Sequence, residues 1–165
     1  MPSTDLILQE DESRRIESLA LQLLRDANAK IVFLVDRNGQ TISSQGDLGH
    51  VDQTSLASLT AGNVAATEGL AQLIGEDEFS VLFHQGKRDS LHISTIGKMA
   101  ILVVAFDERS TLGLVRLRVK KASSALEAVF DEITSRGSSG VDHADAFGSP
   151  FAEITDEDIE NLFSD

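Results

Sequence analysis

Apolar residues change their spacing several times along the chain, and each change marks an element. Between Asp11 and Ala27, Ile16, Leu19, Leu23 and Leu24 fall at helical spacing, which predicts an amphipathic helix stopped at Asn28. The β-branched run IVFLVD, Ile31 to Asp36, predicts a strand. Arg37-Asn38-Gly39 and a second run, TISS, follow it. Asn-Gly between two such runs predicts a hairpin whose type I′ turn holds both central residues at positive φ. A long helix is expected from about Asp52 to Ile74, with Asp52 as N-cap and Gly75 as stop. Three strands should follow, near Ser80 to His84, Leu91 to Ile96 and Met99 to Phe106, the last pair turning at Gly97-Lys98. The run AILVVAF has no polar interruption and reads as a central strand. Leu112, Val115, Val119, Ala122, Leu126, Val129, Phe130 and Ile133 form one stripe, which predicts a last helix from about Ser110 to Arg136.

The order is thus α-β-β-α-β-β-β-α, an α/β (α+β sandwich) class without internal repeats. Its 165 residues suit one domain, 1–136, with a tail. Residues 137–149 are small, polar and Gly-containing and read as a flexible linker. Residues 150–165, SPFAEITDEDIENLFSD with its preceding Ser149, read as an acidic amphipathic tail helix. Charge marks the same division. The chain carries −13; eight of its 27 acidic residues and no Lys or Arg lie beyond Arg136, so the first 136 residues hold 19 acidic against 14 basic, a net of −5.

That charge argues against nucleic acid and against anionic membrane surfaces, both of which reward a basic face. Without Trp or Tyr, two usual anchors of ligand pockets and stacking platforms are missing. Without Cys, no disulfide or thiolate metal site is possible. No apolar run approaches the roughly 20 residues that a membrane-spanning helix needs, and the acidic start MPSTDLILQEDESRR is unlike a signal peptide, so membrane insertion is not expected and the cytoplasm is. His50, His84, His92 and His143 are scattered, with no ligand-like spacing. No GxSxG, GxGxxG or P-loop pattern is present, and the pairs Asp107-Glu108 and Glu76-Asp77-Glu78 sit at turn-like boundaries. The reading is a protein that is not an enzyme, with no cofactor, no metal and no catalytic residue.

Two segments carry more information. In the second helix, Leu56, Leu59, Ala66, Leu70, Leu73 and Ile74 group on one side, which is expected to pack on the sheet. The other side carries Thr54, Ser58, Ala61, Ala65, Glu68 and Gln72, flanked by Gly62 and Gly69. A solvent face is ordinarily rich in charge, and each interior helical Gly costs about 0.8–1.0 kcal/mol relative to Ala. A close approach by another backbone explains that cost. The face therefore reads as a surface for self-association or a partner, or as a helix buried on both sides within one domain. In the tail, Thr155 can cap a short helix with Asp158 at its third position, and Ile154 and Ile159 can form a hydrophobic staple. Ile159, Leu162 and Phe163 then make the i, i+3, i+4 edge by which short helices dock into grooves. The alternative is a disordered acidic end that aids solubility.

The element order and three stretches, IVFLVDRNGQTISSQG, SLASLTAGNVAATEGLAQLIGE and FDERSTLGLVRLRVKKAS, resemble the Roadblock/dynein-light-chain superfamily, and the tail FGSPFAEITDEDIENLF extends the resemblance to bacterial members that regulate a Ras-like GTPase of the MglA kind. The resemblance implies a five-stranded antiparallel sheet, with the second helix on one face and the first and last on the other. It implies a homodimer built through the second helix and third strand. It implies that the dimer binds the GTP-loaded GTPase and accelerates hydrolysis while the GTPase provides its own arginine, and that the pair sets cell polarity and gliding motility, with a cell pole as one location. The partner surface implied comprises Thr54, Ser58, Ala61, Ala65, Glu68, Gly69 and Gln72, with Ile159, Leu162 and Phe163 of the tail as a second contact. Two other readings stay open: a Roadblock scaffold that tethers signalling proteins without touching nucleotide turnover, and an activator that inserts Arg37, Arg88 or Arg109 as a finger.

Overall fold

The computed structural model describes the backbone of residues 8–145 and the side chains of residues 8–136. The elements are α1 (Glu10–Asp26), β1 (Ile31–Asp36), β2 (Thr41–Gly46), α2 (Gln53–Leu73), β3 (Val81–Gln85), β4 (Ser90–Ile96), β5 (Ala100–Phe106) and α3 (Leu112–Asp145). Order and type match the periodicity throughout, and every predicted boundary except the end of α3 lies within two residues. Packing divides the chain into Met1–Phe130 and Asp131–Asp165, and the sheet lies in the first of these units.

Local chemistry explains most of the helix ends. The Glu12 carboxylate accepts the Gln9 N–H at 3.0 Å at the start of α1, and Asn28 takes a left-handed φ of 49° just beyond its end. Asp52 caps α2, its carboxylate accepting the Ser55 N–H at 3.2 Å and the Ser55 hydroxyl at 2.9 Å. These bonds hold the Asp52 carboxyl below its ordinary pKa. Gly75, at φ 82°, ends the same helix.

The strands form one antiparallel sheet in the order β2-β1-β5-β4-β3, which leaves β2 and β3 at the edges. Both central strands, β1 and β5, are buried along their whole length. Alternate side chains of each strand serve the two faces. Ile31, Phe33 and Val35 of β1, Ile93 of β4, and Ile101, Val103 and Ala105 of β5 pack with Ala57 and Val64 of α2. On the other face, α1 lies over β1 and β2, and α3 borders β4. Val115, Val119, Leu126, Val129 and Phe130 of the α3 stripe are buried as predicted.

Three expectations change. The β1–β2 turn is not type I′, since among the described residues only Asn28 is a non-glycine at positive φ; Gly39 alone supplies it here, at 87°. Asp36 explains the difference: one carboxylate oxygen accepts the N–H groups of Asn38 and Gln40, each at 2.9 Å. This Asx arrangement holds Arg37 and Asn38 in an ordinary turn. The extra residue is absorbed as a bulge, with Leu34 opposite Ser43 and Val35 opposite Thr41.

Secondly, α2 faces the sheet with a seam between the two sides described above, and of the side expected inward only Leu56 packs, half-buried, against the core. Its buried residues are Ala57, Thr60, Val64 and Ala71, whereas Leu59, Leu70, Leu73 and Ile74 are exposed. The hairpin turn dictates this choice. A Cβ on Gly39 would stand 3.4 Å from Ser58 Cα and 3.7 Å from Ala61 Cβ. A helix approached so closely must present small side chains at that seam. Thirdly, α3 continues to Asp145, across nine residues of the segment expected to be a flexible linker. Extending a formed helix needs no new nucleation, so polar residues of modest propensity can continue one that packing has started. The remaining linker residues and the expected tail helix, including Ile159, Leu162 and Phe163, lie outside the described residues.

Candidate functional site

The exposed half of α2 and its C-cap carry four of the eight large apolar side chains exposed among the described residues. Leu59, Leu70, Leu73 and Ile74 stand 72%, 59%, 83% and 69% exposed, with Ala65 and Ala66 exposed between them. Gly62 and Gly69 lie on the same half, and a Cβ at either would meet nothing within 4 Å. Their lack of a side chain therefore serves no contact among the described residues. Two helical glycines cost about 2 kcal/mol together. A surface combining exposed leucines with such glycines fits close approach by another chain.

Edge strand β3 lies beside the patch, with Leu82 packed against the core under α2. It pairs on one side only, with β4. Val81 and Phe83 alternate with Leu82 and so stand partly exposed on the face away from α2, where Phe83 stacks on Phe106 with ring centroids 6.2 Å apart. Asn63 of α2 meets His84 of β3 at 3.4 Å, tying helix and strand together. An exposed apolar edge of this kind is one that proteins normally cover.

The sequence-predicted partner residues separate by position. Thr54, Ser58, Ala65, Gly69 and Gln72 are exposed along one edge of α2, beside the leucines. Ala61 and Glu68 are half-buried: Ala61 lies under the hairpin turn, and the Glu68 carboxylate pairs with Arg37. Sequence reasoning missed Leu59, Leu70 and Leu73 as surface residues, having turned them inward on size alone. The available signal was the small-residue series Ala57, Ala61, Val64 and Ala71, which repeats at three to seven residues as a sheet-facing seam does.

Two of the three candidate finger arginines are engaged. Arg37 bonds Glu68 and donates to the Gly97 carbonyl at 3.4 Å. Arg109 grips Asp107 through Nε at 3.1 Å and Nη2 at 3.0 Å, which holds the Asp107 carboxyl below its ordinary pKa. Arg88 is exposed in the β3–β4 loop. Among the described residues, no group of three or more His, Asp or Glu is placed to hold a metal ion, and no helix is long and apolar enough to cross a membrane.

Comparison with known proteins places the fold. Residues 15–106 match the Roadblock/LC7 domain. The chain is similar to Myxococcus xanthus MglB, with 55% identity, a TM-score of 0.74 and coverage of 77% of this chain and 96% of that one. It is similar to the gliding protein MglB of Thermus thermophilus, with 37% identity, a TM-score of 0.72 and coverage of 78% and 97%. A further MglB structure, described as having a tetrameric arrangement, is 35% identical, with a TM-score of 0.74 and coverage of 78% and 97%. With its element order and its sheet in agreement, the chain belongs to the Roadblock/LC7 domain family and, within it, to the MglB-like proteins.

Proposed function

We propose that this protein is a homodimeric regulator that binds the GTP-bound form of a Ras-like, MglA-like GTPase, accelerates GTP hydrolysis and so controls cell polarity and motility. The observation that carries the proposal is the exposed half of α2. Its leucine edge, with Leu59, Leu70 and Leu73 beside the free edge of β3, suits a second copy of the chain. Its small polar edge, with Thr54, Ser58, Ala65, Gly69 and Gln72, suits a partner that approaches closely. Likeness to MglB proteins over most of their length supports the same reading.

Acceleration without a catalytic residue has one physical route. The regulator must bind the GTPase in its transition-state arrangement more tightly than in its ground state. It then acts by positioning the partner's own arginine and attacking water. Arg37 and Arg109 are held by Glu68 and Asp107, which favours this route over an inserted finger. The tail residues Ile159, Leu162 and Phe163 form a second contact in this proposal.

The test is a binding titration against the GTPase loaded with a fluorescent GTP analogue or with GDP. The proposal expects saturable binding to the GTP form, weaker binding to the GDP form, and loss of binding in Ala65→Arg. Equal binding to both forms would turn the protein into a tether indifferent to nucleotide.

A further inference from the structure

A concave site lies on the opposite face of the sheet from α2. The cleft between α3 and the outer strands has a volume of about 460 Å³. Arg116, Val119, Lys120, Ser123, Ser124 and Glu127 of α3 form one wall, and His92 and Ser94 of β4 form the floor. Ser80 and Val81 close the side toward the sheet edge.

The floor is unusual for its surroundings. His92 and Ser94 are 2% and 5% exposed, and His92 Nδ1 and Ser94 Oγ have no hydrogen-bond partner among the described residues. Their neighbours across the sheet are Val104 and Leu102 on β5, and Phe83 and Val81 on β3. Aliphatic side chains at 92 and 94 would complete an apolar floor, whereas a buried polar atom left unpaired costs stability. Such atoms call for a specific explanation.

Charge is the other half of the argument. Four of the 14 basic residues of this strongly acidic chain, Arg116, Arg118, Lys120 and Lys121, occur within six positions. Arg116 and Lys120 stand one turn apart on the cleft wall, a like-charge spacing that disfavours the helix. The single carboxylate in the lining, Glu127, lies two further turns along, beside Gly97 at the far end. Burial, and then the Arg116 charge, hold the His92 imidazole below its ordinary pKa, so the ring is neutral at neutral pH and keeps one N–H to donate. Thr95 is committed to Glu78 at 2.7 Å, and Ser124 to the Lys120 carbonyl at 3.3 Å.

We propose that this cleft binds a small phosphorylated molecule, its phosphate held by Arg116 and Lys120 over the polar floor of His92 and Ser94, with Ser123 as a further donor. A fork of guanidinium and ammonium suits a phosphate dianion. The volume is in the range of small-molecule sites and exceeds the needs of a bare ion. No Phe, Tyr or Trp lines the cleft, and the His92 ring is buried in the floor, so a nucleobase stacked between aromatic rings is not part of the ligand chemistry.

His92 is a built-in reporter, one of only four histidines. The experiment follows its ring signals by NMR in the full-length protein while inorganic phosphate or glycerol 3-phosphate replaces chloride at constant ionic strength. The groups facing the ring are Arg116, Lys120 and Glu127 from α3; β3 contributes no charge. Saturable movement of the His92 signals is expected, with its titration midpoint moving upward as an anion arrives beside the ring. Glycerol 3-phosphate should bind at least as tightly as phosphate. Arg116→Gln and Lys120→Gln, both at exposed positions, should each weaken binding about tenfold. A response no larger than that to chloride, or Gln variants that titrate like the wild type, would overturn the site. Binding of phosphate with exclusion of glycerol 3-phosphate would overturn the small-molecule assignment.

Discussion

Replacing Leu73 with Asp tests the leucine edge of α2 directly. Leu73 is 83% exposed, and Leu59 is 72% exposed almost four turns earlier on the same stripe. Fully burying a leucine is worth about 1.5–3 kcal/mol. From these exposures, covering Leu73 in an interface contributes roughly 1–2 kcal/mol per copy. A symmetric dimer buries it twice, so removing it costs about 2–4 kcal/mol and raises the dimer Kd roughly 30- to 1,000-fold. An Asp at that position adds an uncompensated charge, and Leu59→Asp with Leu73→Asp should abolish the dimer at micromolar concentration. Within one protomer the same substitutions touch solvent, where effects stay within about 0.5 kcal/mol. The assay is sedimentation equilibrium over a concentration series, with far-UV circular dichroism to confirm helix and sheet. A doubly substituted protein that is folded and still dimeric with unchanged Kd would refute the reasoning. A protein that loses its fold would show instead that these leucines belong to the core.

Other consequences follow from the same geometry. Ala57→Leu overfills the seam between α2 and the sheet and should destabilise the fold by about 1–3 kcal/mol in denaturant melts, whereas Ala66→Leu on the exposed half should be nearly neutral. Asp52→Ala removes the α2 cap and should lower Tm at neutral pH. Because the folded Asp52 pKa is lowered, its stabilisation is full above the ordinary value of 3.8 and is lost as pH falls through the lower folded value, so the wild-type and variant melting curves should converge there. Ala65→Arg places a long cation on the small edge of α2 and should eliminate binding of the GTP-loaded GTPase while leaving the dimer intact; unchanged binding would move the partner surface elsewhere. Deleting residues 148–165 should leave cooperative unfolding intact and alter activity, and loss of cooperativity would place the tail in the core.

Much of the fold was legible because its signals are local. The stripe of α3, the uninterrupted apolar run of β5 and the Asp52 and Gly75 ends of α2 each depend on neighbours within a turn or two. The inward face of α2 was not legible, since it depends on a contact between residues far apart in sequence. Periodicity ranks helix faces by apolar size, and this ranking turned Leu59, Leu70 and Leu73 toward the sheet. Close approach of the Gly39 turn to Ser58 and Ala61 instead sets a register in which Ala57 and Val64 meet the sheet. Exposure of Thr54, Ser58, Ala65, Gly69 and Gln72 was still legible, because a helix edge nearly without charge is visible in any register. Type I′ geometry failed at Asn38 for a different, local reason: the Asp36 carboxylate, two residues upstream, competes with the Asn-Gly preference and decides the turn.

Single-turnover GTP hydrolysis by an MglA-like GTPase, measured across a concentration series of this protein, tests the central claim most directly. The account predicts a rate that rises and saturates with the dimer, survives Ala substitution of Arg37, Arg88 and Arg109, and falls to the intrinsic rate with Ala65→Arg. An unchanged hydrolysis rate at concentrations where the two proteins are bound would contradict it and leave a tethering protein in its place.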